Sequence, residues 1–370
     1  MTANDPGHIN NLNKTQKNAL KQCWIDLIST ISIQTSLPDT CIINSDYGYE
    51  LFIWIAYENA DVVLLRWLRA NKWDIKITIQ RIMNLLIWRI KSRIQEFLSK
   101  AESEISLEEA TMNKGYFMGY DKVGRPVCYI HAKEHIRGQF SLDQTEKLAI
   151  LALEISRKLL QFPVETFTVV IDVGGIGRKN MDLHLAKNFI NLFQTYYPES
   201  LGLGLIVNGS WFFNSCWSII MPWLDPTVEN KIKFIKKETD LNMYIDPISI
   251  PQRLHGKHQD FQYILPSEKD QTMLTAFRHD YQGKKFAETH HRQAAKKYLK
   301  LTLRCAHNED NENFVLDRIK ASKNLTDTYE KLLPYITTQI HYHRNEDINE
   351  NIFDMTYNKL CTNDTDIEYF

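Results

Sequence analysis

Apolar residues in the first hundred positions recur at helical spacing. Leu20, Trp24, Leu27, Ile28 and Ile31 share one helical face. After a loop with Pro38 and Gly48, a second series keeps that spacing: Ile75, Ile79, Ile82, Met83, Leu86, Ile90, Ile94 and Phe97. Arg81, Arg89, Lys91 and Arg93 fall mostly off the stripe, so this segment is an amphipathic helix docked on a larger body.

From about Gly115 the period changes. Asp121-Lys-Val-Gly-Arg125-Pro is a turn into a short strand, Val127–Ile130. A helix follows that turns Leu148, Leu151, Ile155, Leu159 and Phe162 inward. Phe167–Asp172 is then a buried strand, followed by a Gly-rich turn and a helix burying Leu185, Phe189, Leu192, Phe193 and Tyr196. Leu205–Asn208 and Lys231–Ile235 are further strands. Strands alternating with helices of this length imply βαβ units, hence an α/β fold with a mainly parallel sheet. The core closes near Leu265-Pro266. Beyond it, 287–304 is a basic helix and 313–342 a helical stretch broken at Pro334, and the acidic, Asn/Asp-rich end from Glu346 is expected to be partly disordered. The chain thus divides into 1–104, an N-terminal helical lobe; 105–266, the α/β domain; and 267–370, a helical, partly disordered extension.

Composition removes several function classes. With 370 residues, 44% of them apolar, a large core can form, and the net charge of −1 argues against a nucleic-acid binder. No two of the six cysteines lie at CxxC spacing, which suits reduced thiols in a cytoplasmic protein. The polar N-terminus carries no apolar signal core, and no apolar run approaches the ~20 residues that span a bilayer. Membrane contact is therefore expected to be transient and peripheral.

The motifs for catalysis are missing. Asp172-Val-Gly-Gly-Ile-Gly177 follows a strand, but Asn180 stands where a dinucleotide loop needs glycine, and no GK[ST] follows, so it is a plain strand–helix turn. His131 and His135 have i, i+4 spacing, but Glu134 does not follow the first histidine as a zincin requires. They are taken as surface histidines near a strand end, and His290/His291 and His341/His343 as solvated. No G-x-S-x-G elbow is present. The expectation is no enzyme, no metal and no catalytic cofactor.

One segment stands out. From Ser210 to Leu224 the chain is apolar nearly all round, with Trp211, Phe212, Phe213, Trp217, Ile220, Met221, Trp223 and Leu224, and Pro222 should end or kink the helix. It is either a fully buried core helix or a gate that needs apolar neighbours supplied by a ligand or a membrane. The second reading has an energetic motive. Each buried CH₂ is worth about 0.8 kcal/mol, so a two-chain lipid moved into water loses far more than ~10 kcal/mol. A lipid headgroup would need polar partners. Lys72, Glu199 and Lys231 sit at element ends, although such charges are more often simply solvated.

Leu64-Leu-Arg-Trp-Leu-Arg-Ala-Asn-Lys-Trp-Asp74, with the helix ending Ile87-Trp-Arg89, resembles the N-terminal motif of CRAL-TRIO lipid-binding proteins. Asp121–Pro126 is similar to that family's turn into its first strand. Tyr196-Tyr-Pro-Glu-Ser-Leu-Gly202, Ile206-Val-Asn208, Leu224-Asp-Pro226 and Lys231-Ile232 match its core in order and spacing. The resemblance spans roughly residues 15 to 266, and within the family it is similar to the fungal phosphatidylinositol transfer proteins. It implies a helical N-terminal lobe, a mainly parallel sheet flooring a lipid pocket, a mobile gate helix, and a phosphatidylinositol headgroup site whose two lysines fall on Lys72 and Lys231 and whose glutamate falls on Glu199. The chain departs from the pattern at Asn71, often Arg in the family, and at His255-Gly256, where the family has Gly-Gly. Phe167 and Val169 stand where members that also carry phosphatidylcholine have small hydroxyl residues.

The function expected is soluble lipid binding and transfer or presentation, with phosphatidylinositol as ligand and gated exchange at membranes. The alternatives are a carrier of a sterol or another hydrophobe, or an adaptor with a vestigial pocket that is recruited to a partner protein or an anionic membrane through 267–370.

Overall fold

Polar caps mark where the N-terminal helices begin. The structure, a computed structural model, describes residues 5–160, 162–307 and 312–348. Helix α1 (Lys14–Thr35) opens on a reciprocal cap in which the Asn13 side chain accepts from the Gln16 N–H and the Gln16 side chain from the Asn13 N–H. Ser45, Asn59 and Asp74 cap α2 (Asp46–Ala56), α3 (Ala60–Ala70) and α4 (Ile75–Lys91) in the simpler one-sided way. Helix α5 (Ile94–Lys100) completes the set. The stripe seen in the sequence is the buried face: Leu27, Ile28, Ile31, Ile82 and Leu86 are all sealed from solvent.

The α/β region follows in chain order: α6 (Leu107–Thr111), β1 (Gly115–Tyr120), β2 (Pro126–His131), α7 (Leu142–Leu159), β3 (Phe167–Asp172), α8 (Leu183–Tyr196), β4 (Leu201–Val207), α9 (Trp211–Ile220), α10 (Pro226–Glu229) and β5 (Ile232–Phe234). The five strands pair in sequence order. Strands β2 to β5 are parallel, and β1 adds antiparallel to β2. Strand β1 is absent from the sequence reading. Its pairing with β2 is irregular between Phe117 and Tyr120, where Gly119 takes φ +64°, and this interrupts the period of two on which strands are recognised. Past β5, short turns carry the chain back beneath the sheet, where Leu241, Ile245, Ile250 and Leu254 join the core. The family's glycine pair has a physical counterpart there. His255 adopts a left-handed φ of 59°, and a Cβ on Gly256 would lie 1.9 Å from the Ile250 carbonyl oxygen.

The C-terminal stretch forms α11 (Glu268–His279), α12 (Tyr281–His307), α13 (Glu312–Ile336) and α14 (His341–Arg344). The expected break at Pro334 does not occur. Helix α13 runs through it and ends two residues later, so the missing N–H removes a single bond near the terminus. The acidic end lies outside the described residues from 349 onward.

Two compact units result. One joins Pro6–Ala101 to the chain from Pro266 onward, and the other is built on Glu102–Leu265. The extension is thus part of the helical unit, and one partly buried node ties it there. The Arg318 guanidinium of α13 donates from both terminal nitrogens to the Asp61 carboxylate of α3, each at 2.7 Å. It also donates to Thr302 Oγ1 at 2.9 Å and to the Tyr298 hydroxyl at 2.8 Å, both on α12. Trp24 Nε1 of α1 donates to the same carboxylate at 2.7 Å. Burial alone would raise the Asp61 carboxyl, but the Arg318 charge and these donors hold it below its ordinary value.

Two histidines of this unit correct the expectation that they are solvated. His291 is fully enclosed between α12 and α13, and His341 is 2% exposed. Burial, reinforced by Arg292 and Arg344 respectively, lowers both rings from 6.5 to about 4. Sequence periodicity does not reveal this, because α12 buries a mixed stripe of Ala287, His291, Ala294, Ala295, Tyr298, Leu299 and Thr302.

Two outcomes follow for stability. Arg318→Ala leaves partly buried Asp61 without its cation and should cost about 2 kcal/mol, read by urea unfolding at pH 7. The two histidines have folded-state values below their unfolded 6.5. Their contribution is therefore complete above pH 6.5 and is lost as pH falls toward 4. The unfolding free energy of wild type should decline through that window, and His291→Gln with His341→Gln should flatten the decline. Asp61, depressed below its ordinary 3.8, adds its loss only at lower pH.

Candidate functional site

The strand registers assign every sheet residue to a face. Cys128 lies beside Val169, and Ile130 beside Ile171. Val169 in turn lies beside Gly204, and Ile171 beside Ile206. Gly204 and Ile206 pair with Ile232 and Phe234, and Phe117 on β1 pairs with Cys128. Because side chains alternate along a strand, all of these share one face. The other face carries Tyr116, Val127, Tyr129, Val170, Leu203, Leu205 and Val207, which are buried together with the returning chain.

The two faces differ in cover. The back is sealed by protein. On the front, Cys128, Val169, Ile171 and Ile232 are only partly buried, and Ile130 on the second strand is 37% exposed. The helices above are also incompletely packed. Helix α8 fully buries only Leu185 and Leu192 and leaves Phe189, Phe193 and Tyr196 half-buried. Phe193 reaches the sheet edge-on at Phe167, with ring centroids 5.8 Å apart. Burial drives the Cys128 thiol up to about 12, although the side chain keeps some accessible surface. The front of the sheet is thus an apolar face that is only partly covered.

The segment 210–224 is not a buried core helix. Helix α9 ends at Ile220, and Met221–Trp223, with Pro222, forms one tighter turn, as the proline requires. Phe213 and Cys216 are buried. Phe213 packs with Val173 and Ile206, and Trp217 meets Phe234 edge-on at 5.5 Å. Phe212, Ile220, Trp223 and Leu224 are half-buried, whereas Trp211 is 80% exposed and Met221 38%. Asn214, Ser215 and Ser218 form an exposed polar strip that the all-round apolar description overlooked.

The chain enters α9 through a fixed corner. Asn208, with a left-handed φ of 58°, donates to Asp172 Oδ1 at 3.0 Å, and the Gly174 N–H donates to the same oxygen at 2.9 Å. The His131 ring lies 3.5 Å from the other carboxylate oxygen. Burial would raise Asp172, but these contacts hold it below its ordinary value. His131 itself corrects the surface assignment. It is 1% exposed, and its Nε2 lies 3.0 Å from the Tyr116 hydroxyl. The alternation of β2 puts it on the sealed face, a placement that requires knowing which face is covered.

The three headgroup candidates divide between the units. Glu199 follows α8 with φ 56°, and Lys231 immediately precedes β5, its carbonyl accepting from the Gly204 N–H at 2.9 Å. Their side chains meet as a partly buried ion pair at 3.8 Å. Lys72 belongs to the helical unit, where it is exposed with φ 52° just after α3. Asn71 before it is structural. Its side-chain amide donates to the Trp67 carbonyl at 2.7 Å, and its oxygen accepts from Arg81 at 2.8 Å. Among the described residues no group of three or more His, Cys, Asp or Glu could hold a metal ion, and no helix is long and apolar enough to cross a membrane.

Comparison with known proteins agrees with this architecture. The model of the CRAL/TRIO domain matches residues 110–256, and that of the CRAL/TRIO N-terminal domain matches residues 33–84. A CRAL-TRIO domain-containing protein of Schizosaccharomyces pombe is 32% identical over 305 residues, covering 80% of this chain and 68% of that protein. Phosphatidylinositol transfer protein CSR1 of Eremothecium gossypii is 29% identical over 306 residues, covering 79% and 69%. Phosphatidylinositol transfer protein PDR17 of Saccharomyces cerevisiae is 25% identical over 221 residues, covering 57% and 60%. The chain belongs to the CRAL-TRIO family.

Proposed function

We propose that this protein is a non-enzymatic carrier or presenter of phosphatidylinositol, whose acyl chains lie on the front of the sheet. The observation that carries the reading is the uneven cover of two equally apolar faces. Leaving Ile130, Val169 and Ile171 partly open costs about 25 cal/mol for each Å² of apolar surface in contact with water, and an acyl chain removes that cost. The names of two relatives, which call them phosphatidylinositol transfer proteins, supply the ligand class.

In this reading Lys231 balances the lipid phosphate, and Glu199 accepts from inositol hydroxyls. The ion pair they form would then open to admit a headgroup. Lys72, in the other unit, is carried by its place in the motif and needs its own variant. The exposed apolar residues of α9 suit a gate, with Trp211 and Met221 turned outward to meet a bilayer when it opens. Phosphatidylcholine fits this reading less well. Val169 is apolar on the floor, and the neighbouring hydroxyl of Thr168 is on the opposite face, fully buried and donating to Asp121 at 2.7 Å.

Native mass spectrometry of protein purified from eukaryotic cells tests this. Wild type should carry one phosphatidylinositol. Val169→Trp should fill the floor and empty the protein while its thermal unfolding stays cooperative. Lys231→Ala should lose the phosphatidylinositol, and Lys72→Ala should weaken its retention. A sterol or no lipid in wild type, or unchanged phosphatidylinositol in both Val169→Trp and Lys231→Ala, would defeat the proposal.

A further inference from the structure

We infer that the outward face of α12 is a docking surface for an anionic membrane, separate from the lipid pocket. The helix has 27 residues and is therefore ~40 Å long. Its one acidic residue, Glu288, lies 4.0 Å from Lys284. Lys285, Lys296, Lys297, Lys300 and Arg304 are all exposed. At about 100° per residue, Lys285, Lys296, Lys300 and Arg304 fall on one side of the helix, with Lys297 beside them. No acidic side chain interrupts this stripe. The opposite side is packed into the helical unit through Ala294, Ala295, Tyr298 and Leu299, so the helix cannot roll to hide its charges.

Apolar residues decide which polyanion fits. Tyr281 is 74% exposed and Phe286 42% at the start of the helix. At the other end α13 turns back along α12, with the Arg304 guanidinium 4.2 Å from the Phe314 ring centroid. There Val315, Leu316 and Ile319 are 49%, 54% and 60% exposed, with exposed Lys320 and Lys323 following. Exposed Asp317 interrupts this group, whereas exposed Asp327 and Glu330 lie further along α13. A nucleic-acid backbone would use the lysines but leave Val315, Leu316 and Ile319 in water. The headgroup region of an anionic bilayer accepts both, with basic groups at the phosphates and apolar side chains below them.

The test is co-sedimentation of the full chain with vesicles of phosphatidylcholine alone and with vesicles that also contain phosphatidylserine. The wild type should bind the second in preference, and added salt should weaken that binding. Neutralising three exposed lysines, as Lys296→Gln, Lys297→Gln and Lys300→Gln, should weaken it by about 100-fold, at ~5-fold per charge. Thermal unfolding and bound lipid should be unchanged, because none of the three residues is packed. Leu316→Ser with Ile319→Ser should weaken binding at the same phosphatidylserine content. Equal binding by the lysine variant, or no preference between vesicles, overturns the inference. So does lysine-dependent binding of a duplex oligonucleotide without vesicle binding. A variant that loses vesicles only together with its bound lipid would place the effect in the pocket and overturn it as well.

Discussion

A sheet with two apolar faces must have both of them covered, and the α/β unit is arranged around how that is done. The back is closed by chain that returns after β5, so Leu241, Ile245, Ile250 and Leu254 lie against Tyr129, Val170 and Leu205. The front is flanked by helices that do not fill it. Phe189 and Phe193 on α8, and Val169 and Ile171 on the sheet, are only half-buried. An interior finished by protein alone would pack at near-crystalline density. This partial cover is the physical basis of the proposed hydrophobic ligand. On α9, Phe213 and Trp217 pack against Ile206 and Phe234 of the sheet.

The corner at Asn208 gives this arrangement a defined geometry. Asp172 joins the ends of β3 and β4 through Gly174 and Asn208, and Asn208 turns the chain into α9 in a left-handed conformation that asparagine tolerates better than most residues. The entry to α9 is therefore fixed, and past Pro222 the Gln194 side chain of α8 holds the chain, donating to the Trp223 carbonyl at 3.2 Å and accepting from the Asp225 N–H at 2.6 Å.

Much of this was legible in the sequence. Strand β3 spans the residues expected, because an unbroken β-branched run between turns has few alternatives. The parallel order followed from alternating strands and helices, and the termination of α9 at Pro222 from the missing N–H. Other features depend on contacts distant in sequence. Arg318 and Asp61 are 257 positions apart, and nothing local marks either as paired. His131, His291 and His341 look like surface residues until the covering elements are known. Strand β1 was missed because its irregular register disrupts the alternation. Among the site candidates, sequence placed Glu199 and Lys231 at element ends, but their 3.8 Å contact is a product of the fold.

The account stands on the claim that a lipid, rather than protein, completes the front of the sheet. A high-resolution structure of the protein loaded with phosphatidylinositol tests it most directly. The account predicts continuous acyl-chain density within about 4 Å of the Val169 and Ile171 side chains. A loaded structure in which α8 or α9 has closed onto Val169, with the lipid elsewhere, would contradict it.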